Sequence, residues 1–169
     1  LLLSILAVPL FAATGANADD KPIKLKLASV SAPSGQVLDS DGVQWWMDKV
    51  TERTKGRVTF ETFWGSSLAA PVAHLDILQK GLVDIVLGCR IYTPGKTPLG
   101  PYHYVLPFGP TDMNLVNKAT RQMYEEIPAF REELAKQNAV LIANFVTMPY
   151  DMISKAPVTN LAGMKGKKI

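Results

Sequence analysis

The sequence predicts an α/β protein built on an open, parallel sheet, and three features of the stretch Arg57–Gly88 make that prediction. Arg57–Trp64 alternates, with Val58, Phe60, Thr62 and Trp64 on one side and Arg57, Thr59 and Glu61 on the other, the period of a strand. After Gly65-Ser66-Ser67, Pro71 suits a first helical turn, and Val72, Leu75, Leu78 and Gln79 follow helical spacing up to Gly81, placed for a left-handed cap. Leu82–Leu87 is then a nearly continuous apolar run, the mark of a strand covered on both faces. Strand, helix and buried strand in that order imply a right-handed crossover between parallel neighbours. In such sheets ligands collect beyond the carboxyl ends of the strands, which directs attention to the loops there.

The remaining elements fit around this unit. Ile23–Leu27 alternates strictly and predicts a first strand ending in Ala28-Ser29-Val30-Ser31. Ala32-Pro33-Ser34-Gly35 is loop chemistry, and Ser34 or Asp39 is the expected cap of a helix with the stripe Val43, Trp46, Met47, Val50, ended by Gly56. Residues 90–110 hold five prolines and three glycines among several aromatic residues, which excludes a regular helix or central strand and points to a packed loop. A helix is expected over Asp112–Ile127 with Leu115, Ala119, Gln122 and Met123 on its periodic face. Pro128 opens another to Gln137, with Asn138 as its left-handed cap. Ala139–Val146 reads as a buried strand, Tyr150–Ser154 as an extended continuation, and Thr159–Gly166 as turns.

At 169 residues the chain has room for one domain, or one and part of a second. It is 47% hydrophobic and 20% charged, too apolar for a disordered chain. A net charge of +3 from scattered basic residues mildly favours anionic solutes and argues against nucleic acid as a partner. Residues 1–18 read as a signal peptide: LLLSILAVPLFAA is too short to span a bilayer comfortably, and Ala16-Asn17-Ala18 is a small-x-small cleavage pattern followed by charge. Export with cleavage after Ala18, and no membrane insertion afterwards, is the expectation, with a retained membrane anchor as the rival. A single Cys89 excludes an internal disulfide framework.

Ser29 and Ser31 follow the first strand, and Trp64, Ser66 and Ser67 follow the second. Their hydroxyls, backbone N–H groups and indole face are candidate contacts for a polar solute, although the serines would serve equally as turn formers. Arg90 follows the third strand and is either a cleft cation or a residue held in an ion pair. Tyr92 and Phe108 either wall a cleft or pack beneath the long loop. Cys89 reads as a small apolar residue. His74 and His103 lack the neighbours a metal site requires, and Gly95-Lys96-Thr97 lacks the earlier glycine of a phosphate loop, position 90 being Arg. Glu125 and Glu126 face different directions on a helix. No catalytic constellation, metal or cofactor is expected, which sets aside an exported enzyme.

Several segments, in their order and spacing, resemble the solute-binding proteins of TRAP (tripartite ATP-independent periplasmic) transporters, the family that includes the C4-dicarboxylate binders. They are ASVS at 28–31, KVTERTKGRV at 49–58, FWGSSL at 63–68, LQKGLVDI at 78–85, LPF at 106–108 and NLAGMKGKKI at 160–169. The resemblance implies a periplasmic-binding-protein-like (type II) fold of two α/β lobes. Residues 19–147 would form the first lobe, and 148–169 the crossing strand and the opening of the second. It also implies capture of a small organic anion between the lobes and delivery to TRAP membrane permease subunits. Tyr150, near the expected crossing, would face solute or pack the hinge, and the Arg that pairs with a solute carboxylate would follow Ile169. The alternative is a receptor feeding an ATP-driven importer or a sensor system.

Overall fold

The computed structural model describes residues 21–88, 90–102, 109–144, 154–155 and 157–166. It divides into two compact units, one of the chain up to Leu68 with Val83–Leu87, the other of Ala69–Leu82 with the chain from Gly88 onward.

The first unit is a three-stranded parallel sheet with one helix. Its strands are β1 (Ile23–Ser29), β2 (Val58–Phe63) and β3 (Ile85–Leu87), in the order β2-β1-β3. β1 runs alongside β2 from Ile23 opposite Val58 to Ala28 opposite Phe63, and alongside β3 from Leu27 opposite Ile85 to Ser29 opposite Leu87. The parallel sheet expected from the alternation is therefore present. Because β3 reaches only the last third of β1, burial rises along that strand: Ile23 is exposed, whereas Leu27, Ala28 and Ser29 are enclosed. Before β3 begins, Asp84 exchanges two bonds with Lys26, its N–H donating to the Lys26 carbonyl (3.0 Å) and its carboxylate accepting the Lys26 N–H (2.8 Å). The third strand is thus shorter than the apolar run Leu82–Leu87 suggests, because a side chain substitutes for the first rungs of the ladder.

Helix α1 (Leu38–Arg53) buries the stripe its spacing predicts, with Met47 enclosed and Trp46 tilted against Phe60 of β2 at 5.4 Å between ring centroids. Such an aromatic pair contributes about 1 kcal/mol beyond its buried area. Neither Ser34 nor Asp39 caps this helix. Val37 is the N-cap and offers no side-chain bond. The polarity is reversed instead: Asp41, inside the first turn, accepts the Gly35 N–H (2.6 Å) and the Ser34 hydroxyl (2.8 Å) from the preceding loop.

The second unit holds α2 (His74–Gln79), entered through a 3₁₀ turn at Pro71–Ala73, then α3 (Met113–Glu126) and α4 (Pro128–Ala135). Asp112 caps α3, accepting the N–H groups of Asn114 (2.8 Å) and Leu115 (3.2 Å). The buried face of α3 is rotated from the expected one. Thr120 and Tyr124 are enclosed and Leu115 is exposed, because Tyr124 packs on Phe130 of α4 at 5.2 Å and Thr120 bonds the Tyr102 hydroxyl. Tyr124, Phe130 and Leu134 form the core here, with Leu99, Tyr102 and Met123 against it. Residues 139–144 form no strand, and Val140 and Ile142 are exposed; no described residue pairs with them. The expected continuation of that strand to 146, and the segment from Tyr150 to Ile153, lie outside the described residues.

Helices α1, α2 and α4 end in the same two-bond motif, with Lys55 (φ 53°), Gly81 (φ 68°) and Asn138 (φ 52°) in its left-handed position. Gly81 and Asn138 behave as expected. In α1 the motif's left-handed position falls on Lys55, and Gly56 (φ 80°), one residue later, is left-handed as well. A left-handed L-residue costs about 1–2 kcal/mol. Lys55→Gly is therefore expected to stabilise the protein by about 1 kcal/mol, and Gly81→Ala to destabilise it similarly, both read by urea denaturation. Nothing lies within 4 Å of where a Gly81 side chain would begin, so that loss is conformational rather than steric.

Candidate functional site

The carboxyl ends of β1 and β2 are joined beyond the strands themselves. Gly65 donates its N–H to the Ser31 carbonyl (2.7 Å) and Ser66 to the Ser29 carbonyl (2.8 Å), extending the ladder into both loops. The fully buried Ser29 accepts the Ser31 N–H on its own Oγ at 3.0 Å, which bends the chain out of the strand. Ser31 in turn donates its hydroxyl to the Asp39 carboxylate in the first turn of α1. Ser40, enclosed beside it, donates its Oγ to the Ala32 carbonyl at 2.5 Å. The loop after β1 is thereby fastened to the turn after β2 on one side and to α1 on the other. Such a rim is ordered before any ligand arrives, which lowers the entropy lost on binding.

Trp64-Gly65-Ser66-Ser67 is a turn with both central residues left-handed (φ 62° and 58°), closed by the Ser67 N–H donating to the Trp64 carbonyl at 3.1 Å. All three N–H groups of Gly65, Ser66 and Ser67 are engaged within the chain. The expectation that this tripeptide offers backbone donors therefore gives way to side chains: the Ser66 and Ser67 hydroxyls, which bond no described residue, and the half-buried indole of Trp64. Ser66 holds its strained φ where glycine would be free of strain, a departure that points to a use for its side chain. On the same rim, the bonds from Gly35 and Ser34 hold the Asp41 carboxyl below the usual carboxylate range.

Arg90 lies in the other unit, where it is tightly engaged. Its Nη1 donates to Glu133 Oε1 (3.0 Å), and its guanidinium lies 5.2 Å over the face of Tyr124. The second Glu133 oxygen accepts the Leu99 N–H at 2.8 Å. The Arg90 charge is thus matched by a buried carboxylate inside its own unit. Burial pushes the Tyr124 hydroxyl up from its ordinary value, against the pull of the neighbouring Arg90. Gly100 is required beside this pair, since a Cβ there would stand 2.6 Å from the Arg90 Cβ. Tyr92 is 47% exposed. His74 is buried, with Nε2 3.1 Å from the Ala69 carbonyl, and no group of three His, Cys, Asp or Glu among the described residues is arranged to hold a metal ion. Cys89, His103, Phe108 and Tyr150 lie outside the described residues.

The structure thus brings Ser29, Ser31, Trp64, Ser66 and Ser67 to one rim. Asp39, expected as a helix cap, instead pins Ser31. Two residues the sequence reading passed over also matter: Glu133 holds Arg90, and Gly100 makes room for it. Glu133 had a signal, a carboxylate three residues from Phe130 on the apolar face of α4.

The family model of the bacterial extracellular solute-binding proteins, family 7 (DctP), matches residues 29–169. The chain belongs to this family. Family 7 comprises solute-binding receptors rather than enzymes, and it functions outside the cytoplasm. One similar solved structure is a TRAP solute-binding protein of an unidentified marine microbe, specific for aromatic acid ligands and holding 3-hydroxybenzoate. It is 26% identical, with a TM-score of 0.59, covering 68% of this chain and 35% of that one. A TRAP periplasmic solute-binding protein from Desulfovibrio salexigens, in an open complex, is also 26% identical, with a TM-score of 0.57 over 67% of this chain and 34% of that one. A marine metagenome TRAP protein specific for pyroglutamate shares the fold at 21% identity and a TM-score of 0.59, over 71% of this chain and 38% of that one. The family 7 chain described here therefore spans 35% of the length of the first of these and has the partial type II two-lobe α/β architecture they share.

Proposed function

We propose that this family 7 chain belongs to an exported receptor of a TRAP-type secondary transporter that captures a small organic anion, a carboxylate by preference, and delivers it to membrane permease subunits. Family membership over residues 29–169, together with three strands pointing the same way into a fastened rim, is the observation that supports it. The similar solved structures are TRAP receptors, which favours this reading over a receptor for an ATP-driven importer or a sensor. Residues 1–18 act as the cleaved export signal in this reading, 19–147 as the first lobe, and 148–169 as the crossing into the second.

At the rim, Trp64 stacks on the solute while Ser66 and Ser67 donate hydrogen bonds. Ser29 and Ser31 hold the loop in place, Ser31 through Asp39. Arg90, Tyr92 and Tyr150 are the further candidates that the sequence offers for solute contact, apart from the rim, and Arg90 is paired with Glu133 inside its own unit. Solute binds the closed form of the whole receptor more tightly than the open form, which is the only way it can shift that equilibrium. Thermal-shift screening of the whole protein against aromatic acids, keto acids, sugar acids and cyclic amino acids tests this. A true solute at 100 times its Kd stabilises the protein by about 2.7 kcal/mol. Stabilisation by neutral sugars alone would contradict the anion assignment.

A further inference from the structure

Helix α3 carries a groove of about 240 Å³ lined by Asn114, Asn117, Lys118 and Arg121. The spacing i, i+3, i+4, i+7 puts all four on one face of the helix, about a quarter turn from the Thr120 and Tyr124 face that enters the core. Two properties distinguish this face from an ordinary solvated helix surface. Neither Lys118 nor Arg121 has an ion-pair partner among the described residues, whereas Arg90 and Lys96 in the same unit are each matched by a carboxylate. In addition, Asn117 is oriented: its Oδ1 accepts the Asn144 amide at 3.3 Å, which leaves its own NH₂ as the available end. Lys118 and Arg121 offer only donors, Asn117 adds another, and the Asn114 amide brings a donor and an acceptor, so N–H groups predominate in the groove and no carboxylate lines it among the described residues. Asp112, the cap of α3, lies at the first turn and uses Oδ1 on the Asn114 and Leu115 backbone N–H groups.

A lining with two cations unpaired among the described residues, further N–H donors and no carboxylate favours a group that accepts. We propose that this groove is an anion site for a carboxylate- or phosphate-bearing small molecule, separate from the rim formed by Ser29, Ser31, Trp64, Ser66 and Ser67. Arg121 supplies the planar fork that matches two oxygens of such a group, Lys118 a second positive charge, and the Asn117 amide a directional donor. The volume suits a compact oxyanion rather than an extended chain. The inference stands independently of the solute assigned to the rim.

Isothermal titration of the whole protein with citrate and, separately, inorganic phosphate tests it at about 0.15 M salt, where the Debye length is about 8 Å and loose surface attraction is screened. The wild-type protein is expected to bind at least one of the two saturably, with citrate alone identifying a carboxylate site and phosphate alone a phosphate site. The double variant K118Q/R121Q is expected to bind at least about tenfold more weakly, as follows from removing two charge-assisted contacts. Substitution of Ser66 should leave this binding unchanged. Titration curves that are flat for both anions, or equal in wild type and double variant, overturn the proposal. So does binding that Ser66→Ala weakens about threefold or more, since the anion would then sit at the rim.

Discussion

Replacing Glu133 by Ala is expected to destabilise the protein by about 3–5 kcal/mol, the range for removing one member of a buried ion pair. The substitution leaves the Arg90 guanidinium in a site where its side chain is 17% exposed, with no carboxylate to balance it. It also strips the Leu99 N–H of its acceptor, and an unmet buried donor adds its own desolvation penalty. Glu133→Gln separates the two effects, because an amide oxygen can still accept from Leu99 while the charge is gone; its loss should be intermediate. Urea denaturation with an unchanged m-value would read both. A loss below about 1 kcal/mol for Glu133→Ala would place the pair with surface salt bridges instead.

The second large effect is expected at Leu27. It sits in the middle strand opposite Thr62 on one side and Ile85 on the other, and is 1% exposed. Leu27→Ala should cost about 3–5 kcal/mol, the sum of lost transfer energy and the cavity left behind. Ile23→Ala at the open end of the same strand should cost much less, because Ile23 is 44% exposed and among the described residues has β2 as its only strand neighbour. The contrast, measured by thermal or urea unfolding, reports where the sheet is held together. It matters for function because Leu27 lies two residues before Ser29, whose carbonyl and hydroxyl anchor the rim.

Much of the sheet was legible in the sequence because strand period and apolar runs are local signals. The alternation of β1 and β2 and the crossover logic gave three parallel strands; their register, and the shortening of β3 by the Asp84 side chain, depend on partners dozens of residues away. The stripe of α3 was misplaced by about one residue, which turns a helix by about 100°. Leu115 and Ala119 looked like the buried positions, but a satisfied Thr120 and the large ring of Tyr124 took the core instead. The run at 139–144 is apolar enough for a strand, yet a strand exists only where another backbone accepts its bonds. At the rim, the residue types after β1 and β2 identified the place. That the N–H groups of Gly65, Ser66 and Ser67 would all be taken by carbonyls could not be read from composition. Arg90 found its carboxylate 43 residues away in α4, beyond the reach of any spacing rule.

The most direct test of the solute rim is the affinity of the Ser66→Gly protein for whichever organic acid the wild type binds. Glycine accepts the left-handed turn without strain, so the variant should unfold at the same or a higher temperature while its solute Kd rises roughly threefold to tenfold, the effect of one lost hydroxyl bond. An unchanged Kd in a protein of equal or greater stability would mean that the solute is held elsewhere.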